Sequence, residues 1–434
     1  MMHPDLSFEQ APPISVPYRF FLTAPWFGVA AGLLLVWAGA EIVESRWLPA
    51  SLALTHLMAL GFMLHVMTGA LLQFVPVAAG GNVWRPSLVA SLVHPVLIAG
   101  TVVLVGAFLN WNELLFRLAG GLLLLAVGFT VLVVGYALLR TPARGPTVGT
   151  LRAAVLGLAV TVLIGTAMAE ALATGRAWPL VAMADVHAAW GLGGWALLLL
   201  AGVSYYVVPM FQLTPPFPAK LSRWLVPALL TVLVLWSLQL TGSRPEWQHG
   251  VWLAGLVVAS AFAGVTLWLQ KKRRRKVVDI TLLFFRGAMI CLLGVLASAL
   301  AMTLIPALAE NPRHAYWLGV LALPGVFGSA INGMLYKIVP FLNWLHLQRG
   351  LGFGMLPPNM NDMIPAKAMT AQMRLHFAAV GLLLVAVVMP DLARIGGAML
   401  AASYAFLGWN LICAVRVYRN FRDRTRAGEP GRAR

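Results

Sequence analysis

Long apolar stretches recur along the whole chain, and they constrain its fold more than any other feature. Each stretch has about 20 residues with few charges, which is the length of a helix that crosses the hydrocarbon core of a bilayer. The stretches lack the apolar/polar alternation of barrel strands. Of the 434 residues, 60% are hydrophobic and only 10% are charged, more apolar surface than a water-soluble protein of this size could bury. We therefore predict an all-α polytopic membrane protein, because a membrane helix satisfies its own backbone hydrogen bonds.

Twelve transmembrane spans are predicted, forming a single transmembrane domain with short tails. They cover residues 19–43, 52–78, 87–109, 113–139, 151–174, 180–211, 222–241, 248–270, 278–306, 314–342, 372–390 and 393–418. The segment before the first span is polar and contains proline, but it has no basic leader and no small-residue cleavage site. We expect a short tail there and not a signal peptide.

The formal net charge of +17 follows the predicted loops. The loops on the side of the chain termini, together with the C-terminal segment, carry 22 Lys and Arg, and the loops on the opposite side carry five. Because Lys and Arg are retained on the cytoplasmic side, both termini are predicted to be cytoplasmic, in an inner (plasma) membrane of the bacterial type. The basic run 271–276 is interpreted as a topology anchor near anionic lipid headgroups, and no nucleic-acid partner is predicted.

A threefold internal repeat is predicted from the second, sixth and tenth spans. Each has glycines fifteen and seven residues before a proline, and valine directly before that proline. The three sets are Gly61, Gly69, Val75 and Pro76; Gly194, Gly202, Val208 and Pro209; and Gly325, Gly333, Val339 and Pro340. The predicted units are 19–139, 151–270 and 278–418, in a pseudo-threefold ring where the glycines permit close helix approach. The alternative is coincidence in a chain with 41 glycines.

Histidines near the starts of these three spans are the first candidate ligands. His56, His187 and His314 lie toward the same predicted periplasmic end, as does His249 at the start of the eighth span. Ionisable residues inside a membrane are functional candidates, and neutral imidazole binds iron, copper and zinc. The alternative for each is a structural hydrogen bond to a neighbouring helix, and for His314 a place in the interface beside Arg313.

His65 is a separate metal candidate. It follows His56 by nine residues, which in a uniform α-helix places it on the opposite face and about 13 Å deeper. The two histidines therefore cannot bind one ion on the same side of this span; either they face different sites or one of them is structural. Met63 and Met67 flank His65 and predict either a soft-metal site or a methionine packing stripe.

Other polar residues in the spans are given structural interpretations. His94 and His376 are predicted near the cytoplasmic side, with His376 opening the eleventh span, and neither can share a site with His56. Asp185 is expected to cap the outer turn of the sixth span, and Lys337 to extend to the inner interface.

The twelve spans in three arcs, with histidines at one end of spans 2, 6 and 10, resemble subunit I of the haem–copper oxidases over nearly the whole chain. The resemblance implies haem b and copper as cofactors, with His56 a haem ligand and His187 a copper or haem ligand. Span 7 contains no histidine, and span 10 has only His314 at its mouth. Oxygen or nitric oxide reduction is therefore not expected.

A closer resemblance is to the NnrS family, relatives of that subunit implicated in handling nitric oxide and bearing haem and copper. It rests on residues 55–58 and 71–76, similar to that family's histidine-led helix with a Val-Pro end, and on 335–341, similar to its later Ile-Pro-Phe helix. The family's doubled histidine is replaced by Thr55-His56. The resemblance implies a haem-binding protein, with copper as a second candidate, acting in nitric oxide or metal stress.

Two other functions fit the same sequence. Twelve spans with internal repeats suit a secondary transporter, although carriers usually have a twofold repeat. A non-catalytic assembly protein for a respiratory complex is the other alternative. The expected partners are the lipid bilayer and either a redox partner or a small gas ligand.

Overall fold

The computed structural model describes residues 8–241, 247–274, 277–350 and 357–426. In these ranges the chain is helical and has no strand, and twelve helices are long and apolar enough to cross a membrane. They are α1 (Ser15–Val43), α2 (Pro49–Ala78), α3 (Pro86–Asn110), α4 (Glu113–Arg140), α5 (Pro146–Thr174), α6 (Leu180–Gln212), α7 (Ala219–Thr241), α8 (Gln248–Lys271), α9 (Ile280–Leu304), α10 (His314–Arg349), α11 (Ala366–Val385) and α12 (Leu392–Thr425). The predicted all-α polytopic membrane fold is confirmed. Arg275 and Lys276 of the basic run lie outside the described residues.

Local sequence signals mark the first residues of several of these helices. Proline occupies the first helical position of α2, α3 and α5, where its missing N–H costs no hydrogen bond. Asn112 caps α4 by accepting from the backbone N–H of Leu115 at 3.0 Å. Asp279 caps α9 in the same way, through the N–H of Leu282 at 2.9 Å.

The predicted bounds of the last helices are wrong by several residues. The eleventh span was expected at 372–390, but α11 runs from Ala366 to Val385. Helices α10 and α12 also continue beyond the expected 342 and 418. Hydropathy marks only the apolar part of a helix, whereas these helices extend through charged turns, and Pro365 sets the start of α11. His376 therefore lies in the middle of α11 and not at its opening.

Three of the described helices contain an eight-residue π-helical segment: Leu57–Leu64 in α2, Trp190–Leu197 in α6 and Leu321–Gly328 in α10. Each begins nineteen residues before the proline of the glycine–proline pattern. π segments are rare and frequently lie at functional sites. The π segments thus occupy the same position in all three helices, which is consistent with the predicted repeat. The pseudo-threefold ring itself stays a prediction.

The pattern glycines lie where α2, α6 and α10 pack against other helices, chiefly the first helix of the same predicted unit. A Cβ at Gly61 would lie 2.5 Å from the ring of Phe27 in α1, and one at Gly157 of α5 would collide with the carbonyl of Gly194. The remaining pattern glycines face Phe20 and Phe21 (Gly69), Thr150 (Gly202), Cys291 (Gly325) and Phe284 (Gly333). The prediction that these glycines permit close helix packing is confirmed.

The surface of the helices is apolar, with exposed tryptophans concentrated at helix ends. Leu132 in α4 is 70% exposed, as expected for a side chain that contacts lipid and not water. Exposed tryptophans at or near helix ends are Trp37, Trp47, Trp84, Trp111, Trp178, Trp224, Trp247 and Trp268. Tryptophan is enriched where the bilayer meets water, so this distribution is consistent with contact to a lipid bilayer.

The loop between α1 and α2 is tied to two distant parts of the chain. Arg46 pairs with Asp185 of α6 at 2.7 Å, and Glu44 pairs with Arg313 at 2.7 Å. Arg313 also donates to the carbonyl of Val387 at 3.0 Å. The expected capping role of Asp185 is wrong, because its carboxylate is turned toward Arg46. One loop thus connects residues of all three predicted units.

Lys337 of α10 does not simply extend to the interface, since its ammonium lies 3.2 Å from the carboxylate of Asp279. Burial alone would raise the pKa of Asp279. The N–H of Leu282, the Lys337 ammonium and the Thr281 hydroxyl together outweigh burial, so the pKa of Asp279 lies below its ordinary value. The cap of α9 is therefore a charged group with a partly buried cationic partner.

Candidate functional site

The rings of His56 and His187 lie next to each other between α2 and α6. Their centres are 6.4 Å apart, and their planes are within 28° of parallel. His56 directly precedes the π segment of α2, and His187 lies three residues before that of α6. The structure therefore brings together two histidines that the sequence analysis had placed only at the same end of the bundle.

One nitrogen of each ring is engaged by a backbone carbonyl. The Nδ1 of His56 lies 2.7 Å from the carbonyl oxygen of Leu52, and the Nδ1 of His187 lies 3.0 Å from that of Thr161. A carbonyl only accepts, so Nδ1 carries the proton in both rings and Nε2 of the neutral ring keeps its lone pair. A backbone carbonyl on the remote nitrogen is a common way to fix the tautomer of a metal-binding histidine.

Two further helices position these rings. Phe108 of α3 packs against His56, with ring centres 5.1 Å apart. On the other side, Gly165 of α5 makes room for His187, because a Cβ there would lie 2.9 Å from Cε1 of that ring. Both histidines are partly buried. The pair is thus set by α2, α3, α5 and α6 together.

The donor set fits a soft or borderline metal. Among the described residues, no three or more His, Cys, Asp or Glu side chains form a metal-binding group. Two neutral imidazoles suit haem iron, whose other ligands come from the porphyrin, or copper(I), which is stable with two ligands.

The structure does not add the other predicted ligands to this pair. His314 is the first residue of α10, and its Nδ1 lies 2.8 Å from the carbonyl oxygen of Asn311. Within the described part of the chain, its ring contacts neither His56 nor His187. His249, the second residue of α8, is exposed.

A second histidine pair lies deeper in the bundle and was missed from sequence. His65 is completely buried, and its ring centre lies 6.0 Å from that of His94 in α3. Its Nδ1 is 2.9 Å from the carbonyl oxygen of Leu60, while its buried Nε2 has no hydrogen-bond partner among the described protein atoms. Sequence alone does not connect His94 with His65, because contact between α2 and α3 at this depth leaves no simple sequence pattern.

The prediction that His56 and His65 lie on opposite faces of α2 is wrong. The π segment fills the interval between them, so the rotation of a uniform α-helix does not apply. Both rings contact α3, His56 through Phe108 and His65 through His94. Their different partners still place them in separate sites.

His376 shows what a structural histidine looks like in this fold. It is completely buried, with Nε2 lying 3.0 Å from the hydroxyl of Ser329 and 3.2 Å from the carbonyl oxygen of Pro324. Asn332 approaches its Nδ1 at 3.4 Å. Both ring nitrogens are therefore occupied, whereas His56 and His187 each keep one nitrogen available.

Comparisons with known proteins do not extend these findings. Neither a scan against protein-family models nor a search of curated proteins finds a match for this chain. The interpretation of the site consequently depends on the His56–His187 geometry and on the resemblance noted in the sequence.

Proposed function

We propose that this chain is a haem-binding inner-membrane protein, with copper as a second candidate, that acts in nitric oxide or metal stress and not as a terminal oxidase. The observation that supports it is the His56–His187 pair, with one nitrogen of each ring held by a backbone carbonyl and the other available. In this proposal α2 and α6 belong to the first two units of a pseudo-threefold ring, and the pair lies toward the periplasm.

The pair supports binding and one-electron chemistry better than oxygen reduction. Haem or copper held there would supply the redox chemistry. The chain would supply two neutral imidazoles, fixed in one tautomer by the carbonyls of Leu52 and Thr161. Oxygen reduction in the resembled oxidases needs additional histidines on the helices equivalent to α7 and α10. Helix α7 has none, and His314 of α10 makes its hydrogen bond locally.

Optical spectra and metal analysis of the purified protein test the proposal. We expect a haem Soret band that shifts on reduction, or about one copper per chain, in the wild type. His56→Ala and His187→Ala should each lose the cofactor, and the exposed His249→Ala should keep it. A wild-type protein with neither haem nor copper above background would refute the proposal, as would equal loss in His249→Ala.

A second candidate function is secondary transport, favoured by the π segments within α2, α6 and α10. Irregular helices within the membrane are a mark of carrier binding sites. Substrate uptake by vesicles that contain haem-free protein would support this function over the first.

A further inference from the structure

A cavity of about 390 Å³ opens between α1, α3 and the end of α12. It lies at the end of the bundle where the chain enters α1 and leaves α12. Three guanidinium groups line it, from Arg19, Arg419 and Arg422, together with the hydroxyl of Thr23 and the ring of His94. The volume falls in the range of small-molecule sites, roughly 300–1,000 Å³. This cavity is distinct from the His56–His187 site.

The positive charge of this cavity is largely uncompensated. Arg422 pairs with Asp423 at 2.8 Å. Among the described residues, no carboxylate oxygen lies within the 4.0 Å ion-pair distance of Arg19 or Arg419. Both of these side chains are exposed. The guanidinium groups of Arg19 and Arg419, at the edge of an apolar bundle, are therefore free of carboxylate partners in the described structure and can donate hydrogen bonds to an anion.

We propose that this cavity binds the phosphate group of an anionic phospholipid from the leaflet at this end. Guanidinium presents a planar set of donors that matches two phosphate oxygens, and basic pockets between membrane helices are a known mode of headgroup recognition. Leu22 and Val415 line the same cavity and provide apolar contact for the lipid next to its headgroup. A free phosphate would use the same guanidinium groups but would gain nothing from these apolar walls.

Bound in this way, the phosphate bridges the first and last helices. Arg19 lies one turn inside α1, and Arg419 lies in the last turns of α12. These helices already pack along their length, with Gly32 of α1 against the backbone of Ala401 in α12. The lipid would extend this contact to the end where the chain termini emerge and the cavity separates the two helices.

Native mass spectrometry of the full-length protein in detergent tests the proposal. Phosphatidylglycerol, phosphatidylcholine and inorganic phosphate are titrated separately. We expect wild type to retain one phosphatidylglycerol, with much weaker retention of phosphatidylcholine. Arg19→Gln/Arg419→Gln should bind phosphatidylglycerol at least about tenfold more weakly. Arg416→Gln is the matched control, because Arg416 lies on α12 at the same end but packs over Trp409, outside the cavity.

The single variants Arg19→Lys and Arg419→Lys keep the charge but lose the two-pronged donor geometry. They should fold even where the double variant does not, and each should weaken binding to an intermediate extent. Equal phosphatidylglycerol retention in wild type and in the arginine variants would overturn the proposal, as would an equal loss in Arg416→Gln. Binding of inorganic phosphate without phosphatidylglycerol would overturn the lipid as the source of the phosphate.

Discussion

At the scale of single residues, the candidate site depends on groups that have no functional signature in the sequence. The carbonyls of Leu52 and Thr161 select the tautomers of His56 and His187. Gly165 leaves the space that the His187 ring occupies. An ordinary leucine and threonine thus decide which nitrogens are available through their backbone carbonyls, and an ordinary glycine decides where the His187 ring can lie.

Gly165→Ala should damage the histidine pair without removing either histidine. The new methyl group would lie 2.9 Å from Cε1 of His187, so the ring must move. Displaced metal ligands or their supports typically cost 10–100-fold in metal affinity, and we expect a loss of about tenfold or more. Copper and haem content per purified chain measures it. Gly149→Ala on the same helix is the control, because a Cβ there meets nothing within 4 Å.

The Asp279–Lys337 pair predicts a loss of stability in acid. The pKa of Asp279 is below its ordinary value in the folded chain. Its charged form therefore stabilises the fold above the ordinary pKa, and this contribution disappears as pH falls through the folded-state pKa. Lys337→Met should cost about 1 kcal/mol at pH 7 and progressively less in acid. Thermal unfolding in detergent at pH 7 and about pH 3 measures this, and an equal cost at both pH values would contradict it.

At the scale of helices, the spans were predictable because hydropathy directly identifies the segments that are apolar enough to cross the bilayer. The π segments were not, because a wider helical turn depends on packing and on backbone hydrogen bonds. In α10 the segment includes Pro324, which has no N–H, and its carbonyl accepts from Ser329 and His376. In α2 the carbonyl of Leu60 instead accepts a hydrogen bond from Nδ1 of His65. The side chains that contact these π carbonyls come five residues later or from another helix.

His376→Leu should lower stability and leave cofactor content unchanged. The substitution keeps an apolar side chain of moderate size. It removes the buried partner of the Asn332 amide and one of the two partners of both the Ser329 hydroxyl and the Pro324 carbonyl, which stay bonded to each other. We expect a cost of about 2 kcal/mol. Thermal unfolding and cofactor analysis on the same samples separate the two effects. Loss of cofactor with unchanged unfolding would mean that His376 belongs to a binding site.

At the scale of the whole molecule, twelve helices and the close packing at the pattern glycines followed from the sequence. Contact between His56 and His187 did not, because it depends on how α2 and α6 pack across two predicted units. The His65–His94 pair lies within one predicted unit, but it too depends on how two helices pack, α2 against α3. Sequence could place histidines along each helix, but only the packed structure shows which helices are neighbours.

The charge distribution predicts that both termini are cytoplasmic. Fusion of green fluorescent protein after the last residue should fluoresce, because the reporter matures on the cytoplasmic side. Alkaline phosphatase inserted in the α5–α6 connection, near Arg176, should be active because that loop is predicted to face the periplasm. The reverse result at both positions would invert the topology and place the His56–His187 pair toward the cytoplasm.

The loop between α1 and α2 also sets an order for assembly. Glu44 and Arg46 leave the ribosome early, but Asp185, Arg313 and the carbonyl of Val387 are synthesised much later. The charged side chains of Glu44 and Arg46 therefore stay hydrated at the membrane surface while the intervening helices insert. The first hairpin is made at the beginning of synthesis, and its loop gains its last direct partner, Arg313, only after α9 has been made. The Val387 carbonyl, which holds Arg313 in turn, follows only after α11.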